Sequence, residues 1–266
     1  VSVVSPAGKL IRRWGRQGAA PGDLSFVTVD PQDPTDIAAS IVVGPKGNVY
    51  LSDSGNSRVE VFSPTGTFLR KLGGYGVGGG QFVLPYDLAV DANGDVYVAD
   101  ENQSTVSKLS PTGKPLWRIG GPTASNSQLQ GEIHLASIDP HGRLVASSDS
   151  QEAIVYVDGA GHEVDAFHTT GSFPAAQVGP CNVTVDGAGY TFVGSCGSSY
   201  TTGCGGSRTL RCVDDFEVVF DQSHRLVGAW YKSPFQLSPR FGPHGEAFTL
   251  GTDGSVLKLK VAVPGA

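Results

Sequence analysis

The sequence predicts an all-β fold, a β-propeller of four-stranded antiparallel blades, and three observations carry that prediction. A first set of turn signals ends in Gly47, Gly94, Gly142, Gly189 and Gly245, with opening intervals of 47, 48 and 47 residues. A second set ends in Gly66, Gly113 and Gly161, each 19 residues beyond its partner in the first set, and continues in degenerate form at His224. Between the turns, NVYLSD, DVYVAD, RLVASSD, RVEVFS, TVSKLS and AIVYVD place apolar residues on alternate positions. Period-2 runs joined by Asp, Pro and Gly turns are short half-buried antiparallel strands. A repeat of this length marks an array in which each unit buries its faces against its neighbours.

Taken in order, VSVVSPAGKLIRRWG supplies two strands around a turn at Gly8, the third and fourth of a blade. Each later repeat reads as strand a, first turn, strand b, loop, strand c, second turn, strand d. The chain reads as a single propeller domain over 1–266, with segments 1–36 (strands c and d plus a linker), 37–84, 85–132, 133–179, 180–236 and 237–266. Five first turns give five inner a–b pairs. The closing blade is composite, built from both termini, in a ring of five or six blades; five-blade closure leaves Val1–Ser5 as a spare strand. A further second turn is expected near residue 264. Helix signals are essentially absent.

The repeat resembles the NHL repeat. The residues that carry the resemblance are GNVYLSDSGNSRVEVFSPTGTFLRKLG, residues 47–73, where Asp53, Asn56 and Arg58 fall on the motif's D-x-x-N-x-R positions. The match is good over 94–120, thinner over 142–169 and skeletal beyond Gly189. GGGQFVLPYDLAVD, residues 78–91, is similar to the family's linker between blades. The resemblance implies a propeller, usually of six blades, and no single function, because the scaffold hosts many roles.

Composition narrows the classes. The net charge is −6, and no basic block is longer than Arg12-Arg13 or Arg70-Lys71. That argues against a nucleic-acid partner, which needs a concentrated positive face; RNA binding, known among animal NHL relatives, ranks last. No run of about 18 apolar residues is present to span a membrane. All 266 residues lack Met and the chain starts at Val1, which leads to the expectation of a mature product shed of its targeting peptide. Cys181, Cys196, Cys204 and Cys212 cluster without CxxC spacing, which reads as two disulfides and an oxidising compartment: secreted, periplasmic or an ectodomain. Hairpin geometry favours Cys181–Cys196 and Cys204–Cys212 among the three connectivities. Such bridges stabilise a loop of about 15 residues by roughly 3 kcal/mol in the chain-entropy picture.

Candidate sites follow from deviations and from register. The blade after Gly189 runs 16 residues longer than its siblings, an insertion bounded by Cys196 and Cys212 in CGSSYTTGCGGSRTLRC, which presents Tyr200 and Arg208 as a contact loop. Asp30, Asp33 and Asp36 lie in a long junction, read as a solvated acidic loop rather than a cation site. Alignment of the a strands places Ser40, Asp87, Asn182 and Ser238 at equivalent positions, with His134 or Leu135 in the remaining blade. These form a polar ring at the channel mouth. Gluconolactonase and peptidyl-amidating lyase propellers, which the chain resembles, hold a divalent metal there. The corresponding ligand set would be Asp87, Asn182 and His134, which is poor in charge for a catalytic ion. His141, His162, His224 and His244 fall on turns, where solvent exposure is expected. Asn102 (NQS) is a glycosylation acceptor in an exposed loop; Asn182 (NVT) matches the pattern but faces inward. Trp14, Trp117 and Trp230 on d strands read as packing between blades, and Arg12, Arg13, Arg70, Lys71 and Arg118 beside them as guards against edge aggregation.

The expected function is a non-catalytic, extracellular protein-binding or scaffolding module with no cofactor. It binds a protein, a glycan or a second copy of itself, the last by exchange of Val1–Ser5 or Val256–Val263 into a filament or oligomer. Two alternatives stand beside it: a metal-dependent lyase or lactonase at the channel mouth, and the sensor ectodomain of a bacterial receptor.

Overall fold

Turns and strands fall where the repeat places them in the computed structural model, which describes residues 1–5, 9–28, 37–121, 127–169, 177–197, 216–231, 240–241, 247–250 and 256–259. The chain forms two compact units, Val1–Leu135 and Ala136–Ala266. In the first, β1 (Ser2–Val4) pairs with β2 (Leu10–Arg13), and β3 (Val27–Thr28) pairs with β4 (Ile37–Ala38). Two four-stranded sheets follow: β5 (Ile41–Val43), β6 (Val49–Asp53), β7 (Arg58–Phe62) and β8 (Phe68–Leu72), then β9 (Pro85–Val90), β10 (Val96–Asp100), β11 (Thr105–Leu109) and β12 (Pro115–Gly120).

β13 (Ile133–Ile138) crosses the unit boundary and leads a third sheet with β14 (Leu144–Ser148), β15 (Ala153–Val157) and β16 (Glu163–His168). A fourth is made of β17 (Gln177–Val185), β18 (Thr191–Gly197), β19 (Phe216–Phe220) and β20 (Leu226–Tyr231). The last, β21 (Arg240–Phe241), β22 (Ala247–Leu250) and β23 (Val256–Leu259), has three strands. Each complete sheet is an antiparallel meander in chain order, as the a-b-c-d reading requires. The expected turn near residue 264, Asp30, Asp33 and Asp36 all lie outside the described residues.

The turns repeat for a local reason. Asp91 Oδ1 accepts the N–H groups of Asn93 (2.9 Å) and Asp95 (3.0 Å), which frees Gly94 to take φ 85°. Asp139, Asp158, Asp186 and Asp221 accept the equivalent pair in their own turns. Ser63 and Ser110 do the same with a hydroxyl. Short acceptor side chains that bond their own backbone two and four residues on select these turns without tertiary help. Gly66 has a second constraint: at φ 87° its Cα faces the indole of Trp14, where any side chain would collide.

β7 shows how a sheet is covered on both faces. Val59 and Val61 point into a core shared with Leu72 of their own sheet, Phe82 of the linker, and Leu88, Val98 and Leu109 of the following sheet. Phe62, on the opposite face, joins Leu51 and Leu24 against Val1 and Trp14. Trp14 thus packs between sheets as expected, 4.6 Å from the Phe62 ring; Trp117 instead meets Tyr97 of its own sheet at 5.7 Å. The linkers insert one buried apolar residue per junction, Leu24, Phe82 and Leu129. The arginines of the d strands do more than guard an edge. Arg12 donates to the Pro64 carbonyl, and Arg70 Nε donates to that of Pro111 (2.8 Å), each fastening one sheet to the second turn of the next. In the second unit Val145, Ile154, Val183, Val193, Val218 and Phe220 form the core.

Candidate functional site

The first strands bring some of the expected polar residues together. Asp87 is buried, and both its oxygens accept main-chain N–H groups: Oδ1 that of Leu88 (2.9 Å), Oδ2 that of Leu135 (3.0 Å). Its carboxylate therefore ties β9 to the start of β13. Ser40 N–H donates to Ser52 Oγ (2.5 Å), and that hydroxyl donates onward to the Tyr86 carbonyl (3.0 Å). Ser52 is the residue that sequence reasoning missed, because it sits on strand b and the polar ring was read from the a strands alone. His134 is buried against the edge of Tyr86 (5.7 Å) with Nε2 3.3 Å from Glu132 Oε1. That contact lowers the Glu132 pKa. Leu135, the other candidate at this position, is core.

The remaining members are placed by backbone alone or not at all. Asn182 lies on β17 opposite Gly194, in the second unit, and its side chain is outside the described atoms, as is that of Trp230. Cys181 falls in a bulge of the β17–β18 ladder, between the pairs Pro180↔Ser195 and Asn182↔Gly194, while Cys196 pairs with Val178. Ser238, Tyr200, Arg208, Cys204 and Cys212 lie outside the described residues. Asn102 is exposed in its loop, as the acceptor pattern requires.

The D-x-x-N-x-R residues form a buried polar clamp. Arg58 Nε donates to Asp53 Oδ2 (2.8 Å), its two terminal nitrogens reach the carbonyls of Ala19, Ala20 and Asp23 at 2.9–3.1 Å, and Nη2 lies 2.8 Å from Glu60 Oε1. Asn56 donates to both Asp53 oxygens and to the Gly18 carbonyl. Asp53 also accepts the Ser25 N–H, and Glu60 that of Gly22. Every partner is on linker 18–25 or on β6–β7, so the motif holds the linker to the sheet. Desolvation raises the Glu60 pKa even beside Arg58. In the next repeat Asp100 accepts from Val83, Leu84 and Gln103 N–H and from Gln103 Nε2. Thr105 stands in the arginine's place, and Arg118 reaches Gln103 and the Val77 carbonyl from the outer strand.

Within the second unit, two first turns, one second turn and strands β15 and β16 surround a cavity of about 400 Å³. Arg143 forks onto Asp139 Oδ2 through Nε (2.8 Å) and Nη2 (2.7 Å), and lies over the Tyr156 ring at 4.4 Å. His224 does not face solvent as its turn position suggested. Its ring stacks on Phe167 (4.5 Å) and Tyr156 (5.4 Å), with Nε2 3.4 Å from Asp165. The only advance signal was a histidine where the four sibling turns have glycine, at Gly8, Gly66, Gly113 and Gly161.

These sheets define a β-propeller, and comparison with solved structures agrees. A streptogramin B lyase matches with a TM-score of 0.55 at 13% identity, over 98% of this chain and 86% of that one. Virginiamycin B lyase from Staphylococcus aureus matches at 0.54 and 12%, over 98% and 77%. The WD40 domain of Pan2 from Neurospora crassa matches at 0.55 and 12%, over 84% and 61%. At these identities the likeness speaks to fold. Residues 34–62 match the family model of the NHL repeat, on the stretch that holds the Asp53–Arg58 clamp. A comparison with curated proteins gives no match.

Proposed function

We propose that this propeller is a non-catalytic, extracellular protein-binding module that recognises further copies of itself or a repetitive partner through its fourth strands. One observation carries the reading. Four of the five described fourth strands turn a large apolar side chain to solvent three residues beyond the turn glycine: Ile11 (58% exposed), Leu69 (44%), Leu116 (46%) and Val164 (50%); β20, whose turn has His224 in place of glycine, does not. Single exposed apolar residues are ordinary, but the same strand position left apolar and exposed in one sheet after another is a recurring contact point.

Strand exchange is the specific form of assembly. Val1–Ser5, spare in a five-blade closure, pairs through β1 with β2 (Ser2↔Arg13, Val3↔Arg12), the two strands expected from VSVVSPAGKLIRRWG. Among the described residues that sheet has two strands, so the far edge of β1 can accept a strand from another subunit. Commitment of both Asp87 oxygens to main-chain N–H groups supports binding over metal-dependent lyase or lactonase chemistry. The cysteine cluster supports an oxidising compartment.

Sedimentation velocity over a range of concentrations tests the assembly. The chain should form oligomers, and Ile11→Ser, Leu69→Ser and Leu116→Ser together should shift it to monomer with its circular dichroism unchanged. A chain that sediments as a monomer throughout, or a triple variant that still assembles, contradicts the proposal.

A further inference from the structure

We propose that the cavity of the second unit is a binding site for a neutral saccharide, independent of the assembly surface. Its peculiarity is His224. Gly66, Gly113 and Gly161 occupy the equivalent turn position at φ 87–91°, whereas His224 holds φ 59°, a left-handed conformation that costs a residue with a Cβ and persists where the surroundings enforce it. Here the enforcement is the stack on Phe167 and Tyr156, and the result is an imidazole placed beside the cavity next to Asp165. The turn spends backbone strain to put a hydrogen-bonding ring where its siblings put nothing.

The wall chemistry selects the ligand class. Two carboxylates, Asp139 and Asp165, face one guanidinium, Arg143, so carboxylate charge outnumbers guanidinium charge on the wall, which disfavours phosphate or sulfate. Asp139 is spent on Arg143 and on two N–H groups of its own turn. Asp165 is 40% exposed and faces Arg143 Nη1 at 3.7 Å and His224 Nε2 at 3.4 Å, so an added cation would sit against the guanidinium already there. An apolar ligand would desolvate that carboxylate without replacing its hydrogen bonds. A sugar hydroxyl can donate to Asp165 while accepting from Arg143, and Gln222, whose Nε2 donates to the Ala188 carbonyl, has its Oε1 to accept from a neighbouring hydroxyl. Pro140 and Val185 give the C–H faces of the ring apolar contact. A volume of about 400 Å³ is in the range of small-ligand pockets.

The test follows the histidine ring resonances during titration with the methyl glycosides of glucose, galactose and mannose, with n-butylammonium, and with inorganic phosphate. His162, exposed in a different turn, is the internal control. At least one glycoside should move the His224 and His141 signals saturably, with a Kd of about 1 mM or tighter, and leave His162 unmoved. His224→Gly, which restores the residue of the sibling turns and so keeps the fold, should weaken that binding at least about tenfold with circular dichroism unchanged. Saturation by butylammonium or phosphate alone, no saturation by any glycoside, or full binding by the glycine variant would each overturn the assignment.

Discussion

Replacing Arg58 by Met tests whether the D-x-x-N-x-R clamp holds the linker to its sheet. The substitution keeps most of the side-chain volume and removes every donor. Asp53 and Glu60 are then left buried without their cation, and the carbonyls of Ala19, Ala20 and Asp23 lose a charged donor. Removing one partner of a buried ionic network costs about 3–5 kcal/mol. At about 2–4 °C per kcal/mol for a chain of this size, Tm should fall by roughly 6–20 °C. The pH dependence carries a sign. Glu60 already has its pKa raised by burial, and Arg58 is the strongest influence opposing that rise. Without Arg58 the folded pKa climbs further above the unfolded one. Such a group contributes stability below the unfolded pKa that is lost as pH rises through the folded pKa. The variant's deficit should therefore be largest near neutrality and shrink as pH falls toward about 5. Thermal melts of both proteins at about pH 7.5 and about pH 5 measure it. A deficit below about 1 kcal/mol, the scale of an exposed pair, or one that grows on acidification, would refute the clamp.

Asp100→Ala should cost about 2–4 kcal/mol in urea unfolding, because three main-chain N–H groups lose their acceptor in a buried site. Burial alone would lower the Lys108 pKa, but hydrogen bonds to Tyr97 and Asp95 outweigh it and the net shift is upward. Its stabilisation is thus present below the ordinary lysine range and lost only at strongly alkaline pH. The gap between wild type and Lys108→Met should stay constant from about pH 6 to 9 and close above about pH 11. Under denaturing, non-reducing conditions no cysteine should react with a thiol reagent; four reactive thiols would remove the argument for an oxidising compartment. Expression in a glycosylating host should add one glycan, lost in Asn102→Gln; a mass unchanged by that substitution excludes the site.

The fold was legible because its cause is local. Asp91, Asp139 and Asp158 each write their own turn, and the strands between must alternate to bury a face. The site was less so. Asp87 could be placed from its distance to Gly94, but spacing along one chain says nothing of the Leu135 N–H that occupies its carboxylate, which is a contact across 48 residues. The Arg58 clamp was visible as a motif, yet its partners at Ala19 and Ala20 are main-chain carbonyls that no residue type advertises. His224 gave a signal, histidine for glycine, whose meaning needed the Tyr156 and Phe167 rings beside it.

Hydrogen exchange at low and high protein concentration tests binding through the fourth strands most directly. On assembly, the account predicts new protection in the strand-accepting β1 and in the fourth strands β2, β8, β12 and β16, with amides around Asp87 and His134 unchanged. Protection that appears around Asp87 and His134 while those outer strands stay as they were would contradict it.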